Sequence, residues 1–394
     1  MKKTPIAIAL FLVTTHAHSA GFQLNSQSAT GLGRAFAGDA VIADNASVVA
    51  KNAAAMSLID EEQMSLGFVV IDSEVTLDNT LYTPAFGSTQ TVEDTQLDNT
   101  TLVPNLHYVK PIANTPWTIG ATLHSNFGTH VDFDSDFPAD EFGGKTSLSS
   151  LNLGFSAAYQ LNEQWSIGLG LDAIYGEGEI NRKDLLDIKA DGLALGFNLG
   201  ATYQVNEDHR FGLSYRYSPD LTADGDVDQL TARADSLTIP LPDMLEFSGY
   251  HRVQSNLALH YSLQYVSWSE FDTLSSTELS DPIKEYHWKN AGHVSVGATW
   301  YQSASTQYRV GYMYDASPVD ELTSLSIPDT NRHWFTFGLT HALSKQWTID
   351  GAVGLLVGEE AKVDESLTVI DTSNIQSDVT TNAWMAGIQV NYKF

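Results

Sequence analysis

The chain has 394 residues, with 20 basic and 48 acidic side chains, a net charge of −28 and no cysteine. So acidic a chain lacks the Lys and Arg needed to neutralise a phosphate backbone, which argues against a nucleic-acid partner. The missing thiols exclude disulfides, thiolate metal sites and cysteine nucleophiles. No apolar run approaches the ~18 residues of a membrane-spanning helix. The chain begins as exported proteins do. Lys2 and Lys3 precede the apolar stretch 6–13, and Ala17 and Ser19 stand where a signal peptidase reads small residues. Residues 1–19 are therefore expected to be a secretory signal peptide, cleaved near Ser19.

Residues 20–63 are rich in glycine and alanine, Gly31, Gly33 and Gly38 among them, and only weakly periodic. From residue 64 to 394 the pattern changes to about fourteen stretches in which apolar and polar residues alternate, the signature of transmembrane strands. They begin near Met64, Leu102, Trp117, Leu151, Trp165, Gly192, Arg210, Leu245, Leu257, His293, Tyr308, Trp334, Trp347 and Asn382. Even-numbered stretches end in short turns, such as 162–164 and 344–346, and odd-numbered ones run into longer links, such as 81–101, 183–191, 220–244 and 360–381. Short turns on one side and long loops on the other are the layout of an outer-membrane barrel.

Parity agrees. In the fifth stretch Trp165, Ile167, Leu169, Leu171, Ala173 and Tyr175 share one face, against Gly168, Gly170 and Asp172 on the other. In the ninth, Leu257, Leu259, Tyr261, Leu263 and Tyr265 oppose His260, Ser262 and Gln264. The apolar face is expected to meet lipid and the mixed face to line the interior. Trp117, Trp165 and Trp347 follow short turns, where an interfacial aromatic girdle belongs. The predicted fold is all-β: an antiparallel up-and-down barrel of about 14 strands in the Gram-negative outer membrane. Segment 20–63 is left outside the wall, as a periplasmic tail or as a plug in the lumen; the width of such a barrel favours the plug.

Several stretches resemble the FadL family of outer-membrane long-chain fatty-acid transporters. They are Ala20-Gly21-Phe22-Gln23-Leu24-Asn25, Gly31-Leu32-Gly33-Arg34-Ala35-Phe36, Val103-Pro104-Asn105-Leu106-His107, Ser125-Asn126-Phe127-Gly128, Leu241-Pro242-Asp243-Met244 and Ser326-Ile327-Pro328-Asp329. They recur in family order over nearly the whole mature chain. The resemblance implies a fourteen-stranded barrel with an N-terminal hatch at 20–63. It also implies passive uptake of a long-chain fatty acid through an apolar pocket, hatch movement and a lateral opening in the wall. On that resemblance Arg182 and Lys289 fall on the cations that hold the substrate carboxylate, and strand parity points both inward. Phe22 matches an aromatic that reaches into the pocket. Ser125, Asn126, Phe127 and Gly128 match the strand kink of the lateral gate. The hatch motif Asn-Pro-Ala reads Asn52, Ala53, Ala54 here, without its proline. The links 183–191 and 220–244 look short for the family, which puts its surface capture groove in doubt.

A rival reading within the family is a channel for uncharged compounds such as aromatic hydrocarbons, which need the apolar pocket but no cation. A more distant one is a barrel-embedded lipase built on His260 and Ser262; parity places that pair inside, away from lipid, and no enzyme activity is expected. The acidic run Asp132, Asp134, Asp136, Asp140, Glu141 begins like a calcium loop but lacks its glycine and distal glutamate, so neither metal nor cofactor is expected. Expected partners are the hydrophobic ligand, outer-membrane lipid and lipopolysaccharide, and the barrel-assembly machinery during biogenesis.

Overall fold

The computed structural model describes residues 21–183, 185–230, 232–319 and 324–394. The expected leader 1–19 and its cleavage point lie outside the described residues. Fourteen antiparallel strands form one closed wall. They are β1 (Gln63–Thr83), β2 (Thr95–Pro111), β3 (Trp117–His124, resumed at Gly128–Asp132), β4 (Lys145–Gln160), β5 (Trp165–Arg182), β6 (Leu186–Gln204) and β7 (His209–Tyr217). They continue as β8 (Met244–Gln254), β9 (Leu257–Val266), β10 (Ala291–Tyr301), β11 (Thr306–Asp315), β12 (Arg332–Ala342), β13 (Trp347–Gly358) and β14 (Thr372–Lys393). Strand β1 pairs with β14 from Gln63 opposite Lys393 to Thr83 opposite Asn374, so the first strand joins the last and the sheet closes on itself.

Each strand is held by its period of two. Leu169, Leu171, Leu259 and Leu263 are exposed on the outer face, whereas Asp172, His260 and Ser262 are buried on the inner one. The outer leucines would be a liability in water and are what a lipid bilayer demands. Trp117, Trp165 and Trp347 each lie outward beside a tyrosine at the same end of the neighbouring strand. Their ring centroids are 4.7, 4.5 and 4.6 Å from Tyr159, Tyr203 and Tyr392. This marks one membrane interface, at the short turns.

Strands that start at those turns begin within two residues of expectation. Four that start on the opposite side begin well before it: β2 at Thr95, β4 at Lys145, β6 at Leu186 and β14 at Thr372. Their outer ends rise past the lipid, where the outward face turns polar and apolar residues such as Leu148, Ile188, Ile375 and Val379 point inward, the reverse of the pattern read in the lipid zone. For the same reason the link after β5 is not a loop over 183–191: β5 runs to Arg182 and strand resumes at Leu186. The stretch 220–244 likewise contains a hairpin, Leu221–Gln229 with Arg233–Ile239, whose first arm extends the sheet alongside β6. A further strand, Ala361–Thr368, pairs back on β14.

Residues 21–59 do not trail away. Nearly all of them are buried, in one short helix (Ala29–Leu32), two 3-10 turns (Ala46–Ala50 and Ala53–Leu58) and irregular backbone between. They touch the inner faces of strands on opposite sides of the wall. Glycines make this close approach possible: a Cβ at Gly311 would run into the Arg34 backbone, and one at Gly168 into the backbone of Ala53 and Ala54.

Candidate functional site

The interior has two storeys. The lower one, beside the short turns, is ionic. Arg34 is buried and reaches Asp39 at 3.0 Å and Asp44 at 3.1 Å; Arg309 of β11 meets Asp44 at 2.9 Å, and Lys51 meets Asp39 at 3.3 Å. Arg216 of β7 bonds Asp172 of β5 at 2.5 Å and donates to the Ala50 carbonyl at 2.8 Å. Burial by itself would raise the Asp44 carboxyl, but the Arg34 and Arg309 guanidiniums beside it bring it down to about 2. These pairs tie the inner segment to the wall through charge-assisted bonds with fixed geometry.

The upper storey is apolar. Phe22 is fully buried, with ring centroids 4.7 Å from Trp268, 4.9 Å from Phe271, 5.7 Å from Trp288 and 5.8 Å from Phe127. Ile174, Ile188, Leu221, Leu237 and Leu241 continue this cluster toward the outer links. A cavity of about 380 Å³ opens beside it, walled by Ile180, Leu186, Leu230, Ile283 and Leu367. Its charged lining groups are Arg182, Lys284 and Glu141.

Arg182 therefore lies where a carboxylate in an apolar cavity would need it. Gly144, at φ 57, lets the neighbouring chain fold over the guanidinium. Arg182 donates to the carbonyls of Lys145 and Asn181 at 2.6 and 2.7 Å and to Thr146 Oγ1 at 2.5 Å, which fixes the head group. Lys289 is not brought to it. The residue is exposed, its backbone N–H donates to the Pro318 carbonyl at 2.9 Å, and it does not line the cavity. Strand parity fails at Lys289 because β10 starts only at Ala291, and His287, at φ 50, has already turned the chain. The lysine that does reach the cavity is Lys284. It lies in the link between β9 and β10, on a two-residue strand paired with Thr273–Leu274 that is too short to show a period.

Strand β3 breaks at Ser125, Asn126 and Phe127 and resumes at Gly128. Pairing with β4 passes from His124 opposite Asn152 to Gly128 opposite Ser149, four residues against three, which is a bulge. On its other side β3 pairs with β2 only over Leu106–Pro111. Among the described residues no ladder joins the outer part of β2 to β3, so the wall has a breach there. The start of the inner segment fills it. Leu24 N–H donates to the Asn126 carbonyl at 2.7 Å, Gly128 N–H to the Phe22 carbonyl at 2.8 Å, and Gln27 Nε2 to the Ser125 carbonyl at 3.0 Å. Phe22 and the breach are thus parts of one assembly.

Asn52 accepts from Ala54 N–H at 3.0 Å and donates to the Ala40 carbonyl at 2.6 Å. Ala53 is the first residue of its 3-10 turn, a position where an N–H has no partner within the turn, so an absent proline removes no bond and restores none. His260 and Ser262 do not meet as a catalytic pair. His260 Nε2 faces Thr299 Oγ1 at 2.9 Å, while Ser262 donates to Glu246 at 2.8 Å and accepts from Gly38 N–H at 2.9 Å.

Comparison with known proteins decides the family. Residues 10–394 match the model of the outer membrane protein transport protein family (OMPP1/FadL/TodX). The chain belongs to this family. It is 34% identical to the long-chain fatty acid transport protein of Escherichia coli K12, with 100% of this chain and 98% of that protein covered. It is 31% identical to outer membrane protein P1 of Haemophilus influenzae Rd, covering 99% and 98%. The crystal structure of a Pseudomonas aeruginosa FadL homologue matches with a TM-score of 0.87 at 18% identity, over 95% of this chain and 100% of that one. The Pseudomonas putida toluene transporter TodX matches with a TM-score of 0.70 at 16% identity, over 95% and 100%. These two structures agree in fold. Like its family, the chain is an outer-membrane barrel of Gram-negative bacteria.

Proposed function

We propose that this barrel takes up long-chain fatty acids passively across the outer membrane. The observation that carries the reading is the buried Arg182 at the edge of an apolar and aromatic chamber reached from the outer links. An acyl chain gains about 0.8 kcal/mol for each CH₂ it buries, and a carboxylate in such surroundings is tolerated only beside a cation. The family names of the curated relatives point to the same substrate class. In this reading residues 20–63 are the hatch, Phe22 is displaced by the ligand, and Ser125, Asn126, Phe127 and Gly128 form the gate through which it leaves sideways. Asn52, Ala53 and Ala54 hold the hatch floor. Cleavage of the leader near Ser19 precedes assembly by the barrel-assembly machinery, and outer-membrane lipid and lipopolysaccharide are the partners of the finished barrel.

One observation favours the second reading, an uncharged hydrocarbon as substrate. Three of the five N–H donors of Arg182 are already engaged by the protein. Oleate binding to the purified protein decides between them. With a fatty acid as substrate, Arg182→Ala weakens oleate at least tenfold, since a bond to a charged group contributes roughly 1.5–3 kcal/mol. Lys289→Ala leaves it within about twofold, the spread of a surface charge. Toluene binding with no oleate binding would favour the hydrocarbon channel instead.

A further inference from the structure

The second cation of the cavity beside Arg182, Lys284, is already taken. Lys284 forms an ion pair with Glu365, and both side chains are largely withdrawn from solvent. Glu365 also accepts from Ser324 Oγ, at 3.0 and 3.1 Å to its two oxygens, and from Leu325 N–H at 3.3 Å. Its carboxylate thus has the cation and neutral donors that a buried carboxylate of any origin requires. Glu365 sits on the strand Ala361–Thr368, and Leu367, Thr368 and Val369 from the same hairpin wall the cavity. The residue that neutralises Lys284 therefore also anchors the outer wall of the chamber.

Electrostatics makes this arrangement consequential. Among the described residues Arg182 and Lys284 share the cavity with Glu141 in its lining and Glu365 on Lys284, and Asp140 lies near enough to Arg182 to act on its charge. A substrate carboxylate entering this set would add one more anion to the resident carboxylates in a low-dielectric space, where like charges repel strongly. Arg182, whose hydrogen bonds go to two carbonyls and a hydroxyl, is open to that carboxylate, whereas Lys284 can share in holding it only if the acid already on it yields. Glu141 accepts from the Tyr82 hydroxyl at 2.6 Å, whereas Glu365 is the carboxylate that holds a lining cation, so Glu365 is the one in competition.

We propose that Lys284 is a carboxylate-binding residue of this chamber and that Glu365 is its internal competitor, an autoinhibitory mimic of the substrate head group. Exchange of Glu365 for the ligand carboxylate on Lys284 releases one tie between the strand Ala361–Thr368 and the link that carries Lys284, while the ladder with β14 stays in place. The same contact sets specificity. A fatty-acid anion can displace Glu365, and an uncharged compound of the same length cannot. This proposal rests on the fatty-acid reading above.

The test is equilibrium binding of oleate and of methyl oleate, its uncharged ester, to the full-length protein in detergent. Wild type, Glu365→Gln, Lys284→Gln and the double variant are compared. Glu365→Gln keeps the shape and the acceptor oxygen but releases Lys284, so oleate binds at least fivefold tighter while methyl oleate is unchanged. Lys284→Gln weakens oleate at least fivefold, again without effect on methyl oleate, and the double variant follows Lys284→Gln. Oleate affinity unchanged or lowered by Glu365→Gln overturns the competitor role. If that variant does not fold, unchanged oleate affinity in Lys284→Gln overturns the proposal independently. Failure of the wild type to bind oleate at all overturns the fatty-acid reading itself, a result distinct from either.

Discussion

The two storeys of the lumen are enclosed by the same fourteen strands, yet they act as different solvents. Below, Arg34, Asp39, Asp44, Lys51 and Arg309 form directional bonds that hold one arrangement of the inner segment against the wall. Above, Phe22, Trp268, Phe271 and Trp288 pack edge to face or tilted, and the contacts between them are non-directional. An ionic network resists partial loosening, because a charge that loses its partner inside the protein is costly. An apolar cluster exchanges one greasy occupant for another at small cost. The contrast assigns fixity to the lower storey and ligand exchange to the upper one, with the breach in β3 where the two meet.

The largest expected effect comes from breaking the lower storey. Arg34→Ala leaves Asp39 and Asp44 with one cation each, and removal of one partner from a buried ion set costs about 3–5 kcal/mol. Hydrogen exchange over residues 30–59 should then accelerate strongly while the strand amides keep their protection. Uniform protection in the variant would show that packing, not charge, fixes the segment. A smaller and more local effect is expected above. Phe22→Ala removes the ring from its aromatic surroundings but leaves the ion pairs intact, so the Gly128 and Leu24 amides at the breach should exchange about tenfold faster, equivalent to about 1.4 kcal/mol. The 30–59 amides should not change. If they do, the two storeys are one cooperative unit. The smallest effect belongs to Ala53→Pro. Asn52, at φ −149 and ψ 109, already has the extended conformation a following proline requires. A compatible proline shifts stability by only about 0.4–1 kcal/mol, in the stabilising direction. A denaturation midpoint well below wild type would mean that Ala53 N–H has a partner after all.

Most of the wall is legible in the amino-acid sequence, and the reason is specific. Trp117, Trp165, Leu257 and Trp347 begin their strands where alternation and a preceding turn say they should, because lipid on one side and lumen on the other impose a period of two. The outer strand ends are not legible. Thr95 to Thr101 and Thr372 to Thr381 stand above the lipid, where the outward face is polar and sparse apolar residues such as Leu97, Ile375 and Val379 face inward, the reverse of the alternation that marks the lipid zone. Of the candidate site, Arg182, Phe22 and the break at Ser125–Gly128 come from resemblance and from parity within regular strand. The inward placement of Lys289 fails, since it extends parity across a link that is not strand.

Sequence alone determined the outer-membrane address of the chain, the number and polarity of its strands and the side of the wall each residue faces. These follow from hydrophobic patterning and from turn chemistry, which are local. Tertiary structure decided that 21–59 is buried against residues of opposite strands, that Gln27 and Leu24 bond to the broken part of β3, and that Lys284 of one link meets Glu365 of another. Those contacts join residues far apart in sequence, through irregular segments whose conformation is set by what they pack against and not by any repeat of their own.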